Sequence, residues 1–230
     1  MIDEDAAPAE AAPLQNLRFH NVSKHYATKE GPRCVLDNLS IDFPRGRNIA
    51  ILGRNGAGKS TLMRLIAGVE APSSGNVERL TRVSWPIGFS GGVHAKLSGF
   101  ENCRFIARIY NADPREVTEF VDEFSDLGEY FHMPVQTYSS GMRAKLAFGM
   151  SMAIQFDCYL IDELTAVGDE RFRKKCHEAF STRLAAADII MVSHQPGTMK
   201  DYCDMAAVLK DGHIRFFDSV DEAIAIYKEL

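Results

Sequence analysis

The most specific chemistry in this 230-residue sequence is carried by nine consecutive residues, Gly53, Arg54, Asn55, Gly56, Ala57, Gly58, Lys59, Ser60 and Thr61. They fit the phosphate-loop pattern Gly-x-x-x-x-Gly-Lys-Ser/Thr. Glycines let backbone N–H groups curl around phosphate oxygens, and the N-terminus of the helix that follows adds positive potential. Lys59 is placed to neutralise β- and γ-phosphate charge, and the Ser60 hydroxyl to ligate Mg²⁺. Such a loop needs a strand before it and a helix after it. Ile49-Ala50-Ile51-Leu52 supplies the strand, and Leu62, Leu65, Ile66 and Val69 repeat at helical spacing toward a stop near Gly68.

Four further groups complement a phosphate. Cys158-Tyr159-Leu160-Ile161-Asp162-Glu163 is an apolar strand ending in two acids, at the carboxyl edge where parallel sheets hold their ligands. Taken alone it is a solvated strand end. After a phosphate loop, Asp162 suits Mg²⁺ and Glu163 suits a general base that polarises water. Tyr138-Ser139-Ser140-Gly141-Met142 opens a helix, where a hydroxyl and backbone N–H groups form either a plain cap or an anion site. His194 ends the strand-like run Ile190-Met191-Val192-Ser193, and Tyr26 is an aromatic upstream of the loop. A lone histidine is more often structural, and the alternative for Tyr26 is a tyrosine packed in the N-terminal sheet.

The elements that must position these groups are readable from pattern. Leu17 to Val22, Leu39 to Phe43 and Asn48 to Leu52 are short strand-like runs, which predicts an N-terminal sheet. Ser98-Gly99-Phe100-Glu101 matches a capping box and introduces Phe105, Ile106, Ile109 and Tyr110 on one face. A second helix follows Pro114, with Val117, Phe120, Val121, Phe124 and Leu127 as a stripe expected to pack on the first. Together they predict a helical insertion over about 97–134. Helices over about 140–153 and 169–186 alternate with strands 158–161 and 189–192, which implies a parallel sheet. Val208 to Phe217 predicts a hairpin turning at Asp211-Gly212, followed by a helix presenting Ala223, Ile224, Tyr227 and Leu230.

Composition bounds the function. Lys+Arg 26 against Asp+Glu 31 gives net charge −5, which does not suggest a nucleic-acid-coating surface. Asp3, Glu4, Asp5 and Glu10 lie in an Ala/Pro-rich leader, residues 1–13, expected to be disordered, so the remainder is close to neutral. The leader lacks the features of a secretory signal, and no stretch reaches the ~18 apolar residues of a membrane span. Five scattered cysteines without metal-type spacing read as reduced core thiols in a cytosolic protein.

The phosphate loop, the Ser139-Ser140-Gly141 helix start, Asp162-Glu163 and His194, in this order, resemble the ATP-binding-cassette (ABC) family. The resemblance implies an α/β fold over 14–230: a P-loop NTPase core with a parallel sheet, an N-terminal antiparallel β subdomain and an inserted α-helical subdomain. It implies that Tyr26 stacks on adenine and that His194 touches the γ-phosphate. Ser139, Ser140 and Gly141, a variant of the family signature, would complete the site of the opposite subunit. Thr165-Ala166-Val167-Gly168-Asp169 occupies the D-loop position, with Asp169 retained and Leu164 where proline is usual. Where the family places its Q-loop glutamine this chain has Trp85-Pro86-Ile87-Gly88-Phe89-Ser90-Gly91-Gly92-Val93-His94.

That run, with Ser-Ser-Gly-Met and Asp-Glu-Leu-Thr-Ala-Val-Gly-Asp, resembles the ATPase subunits of bacterial capsular polysaccharide exporters. O-antigen and other polysaccharide exporters are the alternative; many carry a further C-terminal carbohydrate-binding domain, so an end soon after the hairpin favours the capsule branch. The resemblance implies ATP and Mg²⁺ as cofactors and a second copy of the chain sandwiching two nucleotides. It further implies two integral-membrane permease subunits that handle the polysaccharide, a groove lined by Trp85 to Phe100 in which they dock, and a place on the cytoplasmic face of the inner membrane. A soluble non-transport cassette would normally show tandem cassettes or a long inserted arm. A P-loop kinase or GTPase would leave Asp162-Glu163 and His194 unexplained, and the sequence has no guanine-reading Asn-Lys-x-Asp.

Overall fold

The computed structural model describes residues 15–87, 93–162, 170–184, 186–193 and 195–229. Its strands are β1 (Gln15–Thr28), β2 (Gly31–Pro44), β3 (Ile49–Leu52), β4 (Ser74–Arg79), β5 (Val83–Pro86), β6 (Cys158–Asp162), β7 (Asp188–Val192), β8 (Met205–Lys210) and β9 (His213–Phe217). Its α-helices are α1 (Lys59–Ala67), α2 (Gly99–Ile109), α3 (Pro114–Ser125), α4 (Ser140–Ala153), α5 (Glu170–Leu184), α6 (Pro196–Tyr202) and α7 (Val220–Lys228). β2, β1 and β4 form an antiparallel sheet in that order. The second sheet runs β5-β6-β7-β3-β8-β9, parallel throughout except for β9. The fold is the expected α/β P-loop NTPase core beside an antiparallel N-terminal sheet.

β3 shows why this sheet is buried on both faces. Its four residues are all buried, as covered parallel strands require. Ile49 and Ile51 point into a core formed with α1, β1 and β2, where Leu62, Met63 and Ile66 meet Leu17, Phe19 and Phe43. Ala50 and Leu52 point the other way, into a core shared with Trp85, Phe156 and Met191. The period-two alternation of a strand thus assigns each side of β3 to its own layer. α1 ends at Gly68, whose φ of 73° is the left-handed stop expected there. Arg79 of β4 donates to the Ile66 carbonyl at 2.8 Å and also to Leu65, tying that helix end to the antiparallel sheet.

Several expectations need correction. Val69 lies past the end of α1 and is exposed, so it does not belong to the helix's apolar face. β1 and β2 are far longer than the runs 17–22 and 39–43, because register shifts around Phe19/Val22 interrupt the alternation that marks a strand. Asn21 and Asn38 take positive φ there, 50° and 45°, and the Asn21 amide donates to the Asn38 side-chain carbonyl at 3.1 Å. α2 does not bury one continuous face: Ile106 is 7% exposed, but Phe105 and Ile109 are 51% and 56% exposed. The α3 stripe packs on more than α2. Phe124 stacks with Phe148 of α4 at 5.9 Å and meets Phe172 of α5 edge-on at 5.5 Å. β4, β5 and α6 carry no pattern that the sequence reading picked out.

Other expectations hold. Ser98 accepts from the Glu101 N–H at 3.1 Å and the Glu101 carboxylate accepts from the Ser98 N–H at 2.8 Å, which closes the capping box. Asp211 and Gly212, with φ of 49° and 78°, make the two-residue β8–β9 turn. Cys103, Cys158 and Cys203 are buried thiols, and burial pushes Cys103 and Cys203 up to about 12. Cys34 departs from the core-thiol expectation: it is exposed on β2. Among the described residues, no helix is long and apolar enough to cross a membrane.

Candidate functional site

The loop Gly53–Gly58 leaves the carboxyl end of β3, which lies between β7 and β8 near the middle of the sheet. Ala57 N–H donates to the Arg54 carbonyl at 3.0 Å, closing a turn, and Leu62 N–H donates to Gly58 at 2.8 Å, starting α1. Two glycines are forced by close approach. A Cβ on Gly53 would stand 2.7 Å from the Leu209 carbonyl oxygen, and one on Gly58 2.7 Å from Val35 Cγ1. Gly58 also has φ of 105°, which side chains disfavour. A glycine-rich loop that runs into a helix N-terminus offers backbone N–H groups and the positive end of the helix to an anion.

Lys59 is 8% exposed, and its ammonium folds back over the loop, donating to Gly53 at 2.6 Å and Arg54 at 3.2 Å. Ser60 is exposed and Thr61 is buried. A cavity of about 740 Å³ opens over these residues, and Tyr26, Asn55, Gly56, Gly58 and Asp162 share its walls. That volume suits a small-molecule ligand. Asp162 reaches it from the end of β6. It pairs in register with Val192 of β7, which pairs with Ile51 of β3, so two strand spacings, about 10 Å, separate the acid from the loop's strand.

Tyr26 is anchored by its hydroxyl. That hydroxyl donates to Glu70 Oε2 at 2.9 Å, accepts from Arg64 Nη2 at 3.0 Å and lies 3.3 Å from the Thr61 hydroxyl. Arg64 Nε also reaches Glu70 Oε2 at 2.8 Å, and Lys24 pairs with Glu70 Oε1 at 2.8 Å. Burial pushes the Glu70 carboxyl upward, yet hydrogen bonds from Lys24, Arg64 and Tyr26 outweigh it and hold the group at about 2. The aromatic ring is therefore fixed relative to α1, the helix that carries Lys59, Ser60 and Thr61. Sequence reading missed Lys24, Arg64 and Glu70 because Glu70 lies 44 residues from Tyr26 and no local pattern links them.

The other candidates lie elsewhere. Ser139 accepts from the Met142 N–H at 3.2 Å and caps α4; Ser139, Ser140 and Gly141 stand at the exposed start of that helix and do not line the cavity. Glu163, Asp169 and His194 lie outside the described residues, as do positions 88–92. Trp85 and Ile87 contradict the expected docking groove at that end of the segment, because both are core residues, 8% and 7% exposed. The Trp85 indole donates to Ser151 of α4 at 2.9 Å and packs edge-on against Phe156 at 5.3 Å.

The model of the family described as ABC transporter matches residues 36–166, which span the phosphate loop, the α4 start and Asp162. The chain belongs to the ABC transporter family. This cassette is 50% identical to ATP-binding protein BexA of Haemophilus influenzae, over 93% of this chain and 98% of that protein. It is 51% identical to capsule polysaccharide export ATP-binding protein CtrD of Neisseria meningitidis, over 93% and 99%. The solved dimeric structure of the ATP-binding cassette MJ0796 in a post-hydrolysis state, bound to ADP and phosphate, has the same fold. Its TM-score is 0.69 at 19% identity, covering 88% of this chain and 98% of that one. As a member of the ABC transporter family the cassette binds nucleotide.

Proposed function

We propose that the chain is the ATP-hydrolysing subunit of a bacterial capsular polysaccharide exporter, held at the cytoplasmic face of the inner membrane by its permease. The observation that carries the enzymatic part is the meeting of Tyr26, Lys59, Ser60, Thr61 and Asp162 in one cavity at the carboxyl edge of the sheet. The capsule assignment is supported by the relatedness to an export protein of that class over nearly the whole chain.

In this reading adenine stacks on Tyr26, and the residues Gly53 to Thr61 wrap the phosphates with Lys59 against the β- and γ-oxygens. Ser60 and Asp162 offer a hydroxyl and a carboxylate, hard oxygen donors that suit Mg²⁺, an ion that takes few protein ligands and shares substrate phosphates. Bound Mg²⁺ supplies neutralisation of phosphate charge. Glu163 follows Asp162 directly and takes a proton from water as that water attacks the γ-phosphorus, releasing ADP and phosphate. His194 holds the γ-phosphate.

Ser139, Ser140, Gly141 and Asp169 serve the site of a second copy, so two chains sandwich two ATP molecules. Residues 97–134 form the inserted helical subdomain, and two permease subunits dock between it and the core, while the polysaccharide contacts the permease and no nucleic acid is involved. Purification of the tagged chain from detergent-solubilised membranes tests this reading. An integral-membrane partner is expected to stay bound through washing; a chain recovered without one would contradict the transporter assignment.

A further inference from the structure

The β1–β2 hairpin brings another cation to the nucleotide cavity, and none of the roles above uses it. Arg33 lies directly across the hairpin from Tyr26. It lines the same cavity as Lys59, Ser60 and Asp162, and also an adjoining one of about 360 Å³ walled by Gly53, Arg54 and the Asp211-Gly212 turn. One of its guanidinium nitrogens stands 4.0 Å from where a Cβ would sit on Gly56, in the middle of the phosphate loop. The residue is exposed and has no hydrogen-bond or ion-pair partner among the described residues. An unpaired guanidinium set between an aromatic platform and a phosphate loop is chemically matched to phosphate oxygens.

We propose that Arg33 binds the α-phosphate of the nucleotide. The inference rests on reading the cavity as the nucleotide site. A base on Tyr26 and a triphosphate running into the loop fix the two ends of the ligand, and Lys59 already serves the β- and γ-groups. The α-phosphate is what passes the guanidinium. It is present in ATP and ADP alike and is not transferred, so the contact is equally strong before and during hydrolysis. Interactions of that kind appear in KM and leave kcat nearly untouched.

Equilibrium titration of wild type, Arg33→Ala and Arg33→Lys with ATP, ADP, AMP and adenosine, together with steady-state kinetics, tests this. For Arg33→Ala we expect ATP, ADP and AMP to bind about tenfold more weakly, with adenosine unaffected and kcat within about twofold of wild type. Arg33→Lys keeps the charge without the planar fork and should recover part of the loss. A loss confined to ATP, or no loss for any nucleotide, would overturn the α-phosphate assignment. Lys59→Ala, checked for folding by thermal melting, separates the two layers. If it binds ATP as tightly as wild type, the cavity is not the nucleotide site at all.

Discussion

Tyr26 shows how much a side chain's role depends on its partners. Its ring can stack on a base, and its hydroxyl is tied to Glu70, Arg64 and Thr61. Tyr26→Phe keeps the ring and frees it from α1. ATP binding to that variant is expected to weaken about three- to tenfold, the worth of one or two hydrogen bonds; unchanged binding would show that anchoring contributes nothing. Glu70 predicts a pH dependence with a definite sign. Its folded pKa, about 2, is below the ordinary 4.5, so its stabilising effect is complete above pH 4.5 and is lost as pH falls toward 2. Glu70→Gln should therefore be less stable than wild type at neutral pH, by roughly 1–2 kcal/mol after allowing for solvent screening, and the gap should close between pH 4.5 and 2 in denaturant titrations. The phosphate loop was legible because its determinants are contiguous. The anchoring of Tyr26 was not, because its partners come from separate elements.

Among the elements, local signals decided what could be read. The Ser98–Glu101 box, the helix from Ser140 and the Asp211-Gly212 turn are each specified within a few residues, and each is where its pattern put it. Bulges that shift the register hide the full length of β1 and β2 from their sequence pattern, and β4 goes unrecognised because five of its six residues are exposed. α2 misled differently, since Phe105 and Ile109 are apolar by composition and exposed by placement. Two substitutions test the element-level account. Ser98→Ala removes the α2 cap and should lower unfolding stability by about 1 kcal/mol. Trp85→Ala empties a core site between β5, α4 and Phe156 and should cost about 3–5 kcal/mol in denaturant unfolding. A loss under 1 kcal/mol would instead favour a surface role for the indole.

For the whole molecule, the geometry places the candidate site residues in two regions. Tyr26, Lys59, Ser60 and Asp162 share the cavity, while Ser139, Ser140 and Gly141 stand at the exposed start of α4. In the proposed function a second copy of the chain supplies Ser139, Ser140 and Gly141 to this cavity. A variant that binds ATP but cannot hydrolyse it is therefore expected to shift to a dimer on adding ATP in sedimentation experiments, and to return to monomer with ADP. Apolar periodicity and turn signals make the alternating strands and helices of the core legible, and the phosphate-loop motif makes its ligand class legible. The expectation that Ser139, Ser140 and Gly141 serve a second copy comes from the family resemblance alone, because no pattern within one chain encodes a contact between two.

In the proposed function Glu163 is the base that activates water for ATP hydrolysis. A comparison of ATP turnover and ATP affinity for wild type and Glu163→Gln tests that role. Turnover is expected to fall by at least about a hundredfold while ATP still binds, the loss that follows removal of a general base. Turnover equal to wild type in the Glu163→Gln variant would contradict it.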